Sequence, residues 1–212
     1  MKTALRLLIL LVVFAAVAWP LAAQEADPAS FPARDEHQGV LIAADPYTDA
    51  ARAKAKFGKK NPFTEGFLAV EVFVRNDNDF AVEIDLAAIE LMIRTPGGSR
   101  QRIQVQTLDE MLDRMLSKGG TNPTRPRTPL PIPRSTPNKS KEWQKLETEW
   151  RPLIFEMNIM PPRSTARGFI FFNLGRRFEL VPHSSLYIPD LYFLPERKAL
   201  LFFEMSLAPT SR

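Results

Sequence analysis

The stretch FLAVEVFVRNDNDFAVEIDL, residues 67–86, decides the fold class. In its first half, apolar residues occupy every second position, and Glu71 is one of the charged residues that lie between them. The second half repeats this alternation from Phe80 to Leu86. A period of two residues is typical of half-buried antiparallel strands. The stretch therefore predicts two strands, each with one face towards the core.

The segment RNDNDF, residues 75–80, lies between these strands and is the most site-like part of the sequence. A calcium loop of the EF-hand type needs Gly at its sixth position and Glu at its twelfth. Counted from Asp77, those positions hold Val82 and Ala88. Asn and Asp tolerate left-handed backbone and hydrogen-bond to their own main chain. We therefore predict a corner between strands and no cation site.

The β pattern continues along most of the chain, and no helix alternates with the strands as in a parallel sheet. The 186–194 run contains Pro189, which predicts an edge strand. Together the runs predict seven or eight strands and a mainly β fold, an immunoglobulin-like antiparallel two-sheet sandwich over residues 38–208. Besides the two above, the runs from which these strands are drawn cover residues 40–44, 89–93, 153–160, 168–174, 186–194 and 200–207, with a shorter one at 102–106.

A helical and Pro-rich insertion, residues 108–150, interrupts the β pattern. Thr107 and Glu110 form a capping box before apolar residues at helical spacing, and a second helix is predicted from about Ser140. Between the helices, residues 122–138 hold six prolines among 17 residues, which predicts exposed polyproline II. Guanidinium groups here could bind an acidic or phosphorylated partner, or the segment could be a stiff basic spacer. The possible contact residues are Arg125, Arg127 and Arg134.

The N-terminus has the layout of a secretory signal peptide. A short basic start precedes the uncharged apolar run 7–19, and two alanines precede Gln24. The run is shorter than the roughly 20 residues of a spanning helix and ends at Pro20. We predict a signal peptide over residues 1–23, a flexible leader over 24–37, and no stable membrane span after cleavage. The mature protein is expected to be periplasmic or extracellular.

Composition argues against several function classes. The chain has no Cys, which excludes disulfides, thiolate catalysis and Cys-ligated metals. Its two histidines, His37 and His183, are too few for a zinc site. His183 precedes Ser184 and Ser185, but the chain lacks the Gly-x-Ser-x-Gly elbow of serine hydrolases. We predict no enzymatic activity, no cofactor and no metal.

Charge argues against nucleic acid as a partner. The formal net charge of the whole chain is +4, and the predicted signal peptide carries two basic residues and no acidic one. Its removal leaves 4 − 2 = +2, which is a weak overall charge. We therefore predict that the mature protein does not bind nucleic acid.

Two segments, KFGKKNPFTEGFLAVEVFVRNDNDFAVEIDLAAIEL (56–91) and PPRSTARGFIFFNL (161–174), carry a resemblance to a known group. Together with LYIPDL and LLFFEMSL nearer the C-terminus, they resemble uncharacterised secreted bacterial proteins with a single immunoglobulin-like sandwich. The resemblance implies an early hairpin made by a Val-rich strand and an Asn-rich turn. It also implies a Pro-x-x-Ser/Thr-x-x-Gly-Phe motif before a central strand, and it carries over no catalytic residue. The matching residues are Pro162, Thr165, Gly168 and Phe169.

These observations favour an exported, non-catalytic protein-binding or structural module of the bacterial cell envelope. Its partner would be another envelope protein, bound through the Pro/Arg-rich insertion. The alternative is a small-ligand or carbohydrate-binding module that uses an open sheet face. Phe73, Phe169 and Phe171 would be its contact residues, unless they lie in a core between the sheets.

Overall fold

The computed structural model describes residues 28–95, 97–117 and 139–208. The chain forms two compact units, Met1–Ser30 and Phe31–Arg212. Of the first unit only Pro28–Ser30 are described, and they form a short 3-10 helix. The second unit contains every strand and α-helix of the described chain.

The fold is mainly β, and the strands pair antiparallel throughout the two sheets. The described residues contain three α-helices, α1 (Ala50–Phe57), α2 (Leu108–Leu116) and α3 (Lys141–Trp150). They contain twelve strands, β1 (Ala33–His37), β2 (Val40–Pro46), β3 (Phe67–Asn76), β4 (Val82–Ile84), β5 (Glu90–Arg94), β6 (Arg100–Gln106), β7 (Ile159–Met160), β8 (Ser164–Asn173), β9 (Ser184–Ile188), β10 (Leu191–Phe193), β11 (Lys198–Ala199) and β12 (Phe203–Ser206).

The large sheet has eight strands in the order β1-β2-β3-β8-β6-β5-β9-β12. One half of this sheet consists of β1, β2, β3 and β8, and the other half of β6, β5, β9 and β12. The halves join where β6 pairs with β8 at Val105 and Gln106. The sheet curls until its edges meet, and the His37 ring of β1 stacks on Phe203 of β12 with the ring centroids 3.8 Å apart. The small sheet has the order β11-β10-β4-β7.

Strand β3 separates two apolar clusters because its side chains alternate between the two faces of the sheet. Leu68 and Val70 face the inner core, which the two halves of the large sheet enclose together with the small sheet. Phe67 and Ala69 face the opposite way, into a second cluster that α2 and α3 cover. The helical insertion therefore packs on the outer face of β3 and β8. This second cluster, the helix-covered core, includes Met111, Leu112, Trp143, Leu146, Trp150, Phe169 and Phe171.

Both predicted helix starts in the insertion are confirmed. The Glu110 backbone N–H donates to Thr107 Oγ1 at 3.2 Å, and the Thr107 N–H donates to Glu110 Oε2 at 2.9 Å. The Trp143 N–H donates to Ser140 Oγ at 3.1 Å at the start of α3. These bonds satisfy backbone donors that the first helical turn leaves without an intrahelical partner. The sequence therefore fixes where each helix begins.

The predicted corner at residues 75–80 is confirmed. The Asn76 side chain closes it: Nδ2 donates to the carbonyls of Phe80 at 2.8 Å and Pro161 at 3.0 Å, while Oδ1 accepts from the Asn78 N–H at 3.1 Å. The early hairpin implied by the resemblance is wrong. Strand β3 belongs to the large sheet and β4 to the small one, so the corner carries the chain from one sheet to the other.

Part of the predicted leader, residues 24–37, is wrong because Ala33–His37 form β1. The strand ARDEH is polar, so its sequence gives no alternation to recognise. It pairs with β2 because Gln38 and Gly39 both have positive φ, 51° and 71°, which suits a two-residue hairpin turn. The hairpin geometry, and not hydrophobic patterning, makes this segment a strand.

Two further strand predictions are wrong. Residues 153–160 form one strand only at Ile159–Met160, after a 3-10 turn at Arg151–Leu153. Pro189 does not mark an edge strand, because it separates β9 from β10 and each of these pairs on both sides. The described chain has twelve strands instead of the expected seven or eight, because Pro189 divides one run into β9 and β10 and because β1 and the two-residue β11 were not predicted.

Candidate functional site

Strand β6 has an open backbone edge where it separates from β8. It pairs with β5 over Arg100–Gln104, but with β8 only at Val105 and Gln106. Continuing that register would place Gln104 opposite Asn173, where β8 ends. There the Gly175 N–H donates to Asn173 Oδ1 at 3.0 Å, and the backbone turns away from β6 with φ of 58° at Gly175.

The direction of the β6 backbone groups follows from one hydrogen bond. The Val105 N–H donates to the Ile89 carbonyl at 3.2 Å, so Val105 points its backbone groups towards β5. Successive residues of a strand direct their N–H and C=O groups to alternate edges. Arg102 and Gln104 therefore direct theirs to the edge away from β5. At Arg102 no described strand pairs with that edge. Val105 and Phe172 direct their own backbone groups away from each other, so their pairing uses the Gln104 carbonyl and the Asn173 N–H and leaves only the N–H of Gln104 open.

The open edge lines a groove with a volume of about 610 Å³, here named the β6 groove. Its walls come from β6, from the start of β5, from α2 and from the turn that follows β8. Three guanidinium groups and one carboxylate lie among its side chains. The lining residues are Glu90, Gln101, Arg102, Ile103, Gln104, Gln106, Arg114, Asn173, Leu174, Gly175 and Arg177.

The charges of the β6 groove are largely unneutralised. Arg102 Nη1 lies 3.6 Å from Glu90 Oε2, which makes a long ion pair. Arg114 and Arg177 have no carboxylate within 4.0 Å among the described residues, and Arg177 Nε instead donates to the Leu174 carbonyl at 3.3 Å. Two acceptor oxygens of the lining, Glu90 Oε2 and Gln106 Oε1, are buried without a hydrogen-bond donor in the described structure. The groove thus carries a positive charge and unused hydrogen-bonding groups.

A second cavity, of about 310 Å³, lies where α2 begins, and is here named the apolar crevice. Its lining is mainly hydrophobic, with Gln106, Thr107 and Glu156 as its polar members. Apolar pockets of about 300 to 1,000 Å³ with a few polar groups are the usual form of small-molecule sites. The remaining lining residues are Leu86, Ala87, Val105, Leu108, Ile154, Phe155, Phe169 and Ile170.

The outer face of β3 carries a buried carboxylate. Glu71 is 3% exposed, accepts from Arg167 Nε at 2.8 Å and from the Tyr47 hydroxyl at 3.2 Å. Burial, followed by the nearby Glu71 charge, raises the pKa of Tyr47, although Arg52 opposes this. The Arg52 guanidinium lies 3.8 Å from the Tyr47 ring centroid, and its hydrogen bonds with Asp45 raise the pKa of Arg52. The Glu71 carboxylate and the Tyr47 hydroxyl of this network are buried and paired with each other, whereas Arg52 and Arg167 reach the surface.

The aromatic residues proposed for an open face are covered. Phe169 and Phe171 lie in the helix-covered core, and Phe73 packs on Phe31 with the ring centroids 6.1 Å apart. They therefore occupy neither an open face nor the core between the two halves of the large sheet. Phe169 also lines the apolar crevice.

Arg125, Arg127 and Arg134 lie outside the described residues, as does the predicted signal peptide. A hydrogen bond and an ion pair connect α2 with α3 and with the segment just before α3, on either side of residues 118–138. Trp143 Nε1 donates to Asp113 Oδ1 at 2.9 Å, and the Lys139 ammonium lies 3.0 Å from Asp109 Oδ2.

The two histidines lie apart. His37 Nε2 lies 3.1 Å from the Phe202 carbonyl, whereas His183 is exposed at the end of a 3-10 helix. The neighbouring hydroxyls have other acceptors, since Ser184 donates to the Val181 carbonyl and Ser185 to Glu204. In the described part of the chain, no three His, Cys, Asp or Glu side chains group as metal ligands would, and no helix is long and apolar enough to cross a membrane.

Comparison with known proteins gives no family. No family model matches the sequence, and no curated protein matches it. The crystal structure of a functionally unknown protein from Listeria monocytogenes EGD-e is similar at a TM-score of 0.35 and 12% identity, over 74% of this chain and 70% of that chain. A TM-score this low establishes neither a shared fold nor a shared function.

Sequence reasoning missed the β6 groove as a site. It recognised residues 102–106 as a short strand, in which Ile103 and Val105 alternate with polar residues, but it gave that strand no binding role. The signal was the polar remainder of that strand, since charged residues are common on strands whose edge is exposed. The separation of β6 from β8 depends on distant pairing and leaves no local pattern.

Proposed function

We propose that this protein is an exported, non-catalytic binding module of the bacterial cell envelope that holds an extended segment of a partner protein along the open edge of β6. The observation that carries this proposal is the open backbone edge of β6 in the β6 groove, formed by both backbone groups of Arg102 and by the N–H of Gln104. When a peptide adds a strand to a sheet edge, such backbone groups supply affinity and the surrounding side chains supply selectivity.

The dimensions of the edge suit a short peptide. Residues Arg100–Gln104 pair only with β5, and five extended residues cover about 16 Å. Arg102 offers one N–H donor and one C=O acceptor, and Gln104 offers its N–H, because its carbonyl is used in the pairing with β8. A partner strand of four or five residues could therefore form a short ladder there, and its side chains would lie within the β6 groove.

Other features support the remaining parts of the proposal. The signal-peptide layout of residues 1–23 supports export, and the absence of Cys suits a bacterial envelope protein without disulfides. Antiparallel pairing around an apolar core supports the immunoglobulin-like classification. Arg125, Arg127 and Arg134 remain a proposed second contact with the same partner, because Arg pairs well with acidic groups.

The test uses proline at an edge position. Gln104→Pro removes a backbone N–H that faces the groove, and proline is tolerated where a strand edge is unpaired. Gln104→Ala removes the same side chain and keeps the N–H. Peptides selected from a phage-displayed random library on the full mature protein should bind wild type and Gln104→Ala within about twofold of each other. The same peptides should lose at least about tenfold in affinity for Gln104→Pro.

Circular dichroism and a thermal melt of each variant provide the folding control. Selected peptides that bind folded Gln104→Pro as tightly as wild type would show that the partner does not use this edge. A library that yields no binder at all would contradict the binding-module proposal itself.

A second candidate function rests on the apolar crevice, which would hold a small, mainly apolar molecule. Ala87 is exposed at the rim of this cavity, so Ala87→Trp should fill it from outside. Ala199, exposed on β11, does not line the crevice and offers a matched Ala199→Trp control. The fluorescent probe 1-anilinonaphthalene-8-sulfonate should bind wild type and the control, and should lose at least about fivefold in affinity for Ala87→Trp. Equal binding to all three proteins would rule out the crevice as its site.

A further inference from the structure

We infer that the segment held by the β6 groove is an acidic peptide strand whose carboxylates lie at alternate positions. This inference rests on the proposed function and adds the chemistry of the partner. It follows from the charges around the open edge, because Arg102, Arg114 and Arg177 line the groove together with a single carboxylate, Glu90.

The three guanidinium groups come from different elements of the fold. Arg102 belongs to β6, Arg114 to α2 and Arg177 to the segment that follows β8. A strand added along β6 would therefore have positive charge on several sides. Side chains of an added strand alternate between the two faces of the sheet, so carboxylates at every second position would lie on the same face. Arg pairs with carboxylates through two parallel N–H···O bonds, which gives geometric selectivity as well as charge.

Four of the arginines without a carboxylate partner among the described residues, Arg94, Arg100, Arg114 and Arg177, lie in or beside the β6 groove. Arg34 and Arg176, and the lysines of α1, also have no such partner. Arg94 and Arg100 face each other across β5 and β6, lack a carboxylate partner among the described residues, and extend the positive charge beyond the groove. Elsewhere, six arginines each have a carboxylate within 4.0 Å: Arg52, Arg75, Arg151, Arg163, Arg167 and Arg197. Most arginines outside the groove are thus neutralised by a carboxylate of the same chain, whereas Arg114 and Arg177 of the β6 groove are not.

Positive charge along an edge also discourages pairing with unsuitable strands. Residues 118–138 of the same chain are one example, because their charged residues are all basic and their prolines lack an N–H donor. Neutral and basic segments would leave the guanidinium groups unpaired. An acidic strand satisfies both the backbone edge and the side-chain charge.

Glu90 provides a variant with increased affinity. It is the single carboxylate of the groove lining, so Glu90→Gln removes the one charge that repels an acidic peptide and frees Arg102 from its long ion pair. Arg114→Glu should lower the affinity for an acidic peptide, because it replaces a positive charge of the groove with a negative one. Arg34 on β1 offers the matched control Arg34→Glu, because it is also exposed and has no carboxylate partner among the described residues.

The experiment measures three acetylated and amidated heptapeptides by fluorescence anisotropy against the full mature protein at low salt. Four Glu, four Gln or four Lys residues alternate with Thr in the three peptides. We expect the Glu peptide to bind at least about tenfold more tightly than the Gln peptide, and its advantage to shrink as salt is raised. The Lys peptide should bind most weakly. Oligogalacturonate serves as a second polyanion that has no peptide backbone.

The variants should distinguish an effect of groove charge on peptide affinity from a general loss of folded protein. For the Glu peptide, Glu90→Gln should raise affinity about threefold, Arg114→Glu should lower it about fivefold or more, and Arg34→Glu should leave it unchanged. Equal binding of the Glu and Gln peptides would overturn this inference while the proposed function stands. Binding of oligogalacturonate in place of peptide, or loss on Arg34→Glu alone, would also overturn the inference. If none of the three peptides binds, both the inference and the proposed function fail.

Discussion

Gly168 lies directly against the backbone of Phe155. A Cβ atom placed on Gly168 would come within 2.5 Å of Phe155 N and 2.7 Å of the Ile154 carbonyl carbon. The Phe155 N–H donates to the Phe169 carbonyl at 3.0 Å, and Ile154 forms an isolated parallel bridge with Phe169. The missing side chain therefore lets residues 154–155 pass beside β8, where they line the apolar crevice.

We expect Gly168→Ala to destabilise the protein by about 1 to 3 kcal/mol, because the extra methyl group meets backbone atoms that have no room to move. Urea unfolding followed by circular dichroism measures the change. The control is Gly97→Ala, since a Cβ at Gly97 has no heavy atom within 4 Å. Equal losses in the two variants would show that the close approach at Gly168 has no energetic importance.

The Tyr47 hydroxyl predicts a loss of stability in alkali. The pKa of Tyr47 is raised in the folded state, first by burial and then by the Glu71 charge. Because this pKa is higher in the folded state, the protonated hydroxyl contributes to the free energy of unfolding. That contribution is complete below the ordinary tyrosine pKa of about 10 and is lost as pH rises through the folded-state pKa. The unfolding free energy of wild type should therefore fall more steeply between pH 9 and pH 11 than that of Tyr47→Phe.

Tyr47→Phe should also cost about 1 kcal/mol at pH 7, because the variant loses the hydrogen bond to Glu71. Tyr192→Phe in the small sheet is the matched control for general effects of alkali. Parallel pH dependences of wild type and Tyr47→Phe would contradict this account of the buried network. The measurement is urea unfolding at pH 7, 9, 10 and 11.

The sequence predicts those parts of the fold that depend on local chemistry. Thr107 and Ser140 mark the two helix starts, and the period-two pattern gives β3 from Leu68 onwards. The polar strand β1 was missed because its pairing depends on the turn at Gln38–Gly39. Similarly, the run that contains Phe169 and Phe171 is apolar on both faces of β8, so its pattern does not reveal that helices cover one of these faces.

The candidate site could be predicted from the sequence even less well than the fold. Arg102, Arg114 and Arg177 are far apart in the sequence, and they meet because β8 leaves β6 after Phe172. That separation depends on the turn at Gly175 and on the Leu174 N–H, which donates to the Gly66 carbonyl at 3.0 Å. Nothing in any one of these segments shows that the others lie beside it.

The corner between the two sheets depends on the Asn76 side chain, which is fully buried. Its Nδ2 donates to the Phe80 and Pro161 carbonyls, so Asn76→Asp would place a carboxylate oxygen against two acceptors. We expect a loss of about 2 to 3 kcal/mol, because an unsatisfied buried polar group costs about 1 to 3 kcal/mol and a charged one costs more. Chemical denaturation at pH 7 measures it, with Asn158→Asp at an exposed position as the control. A loss no larger than that of the control would mean that other contacts hold the corner.

The capping box at Thr107 positions the helix that carries Arg114 towards the β6 groove. Thr107→Ala removes the acceptor of the Glu110 N–H, and we expect a loss of about 1 kcal/mol in urea unfolding. Thr148→Ala in α3 is the control, because the Thr148 hydroxyl donates back to the Gln144 carbonyl and alanine is the better helix former. It should leave stability unchanged or slightly raised. A Thr107→Ala protein as stable as wild type would show that packing of Met111 and Leu112 alone holds α2 in place.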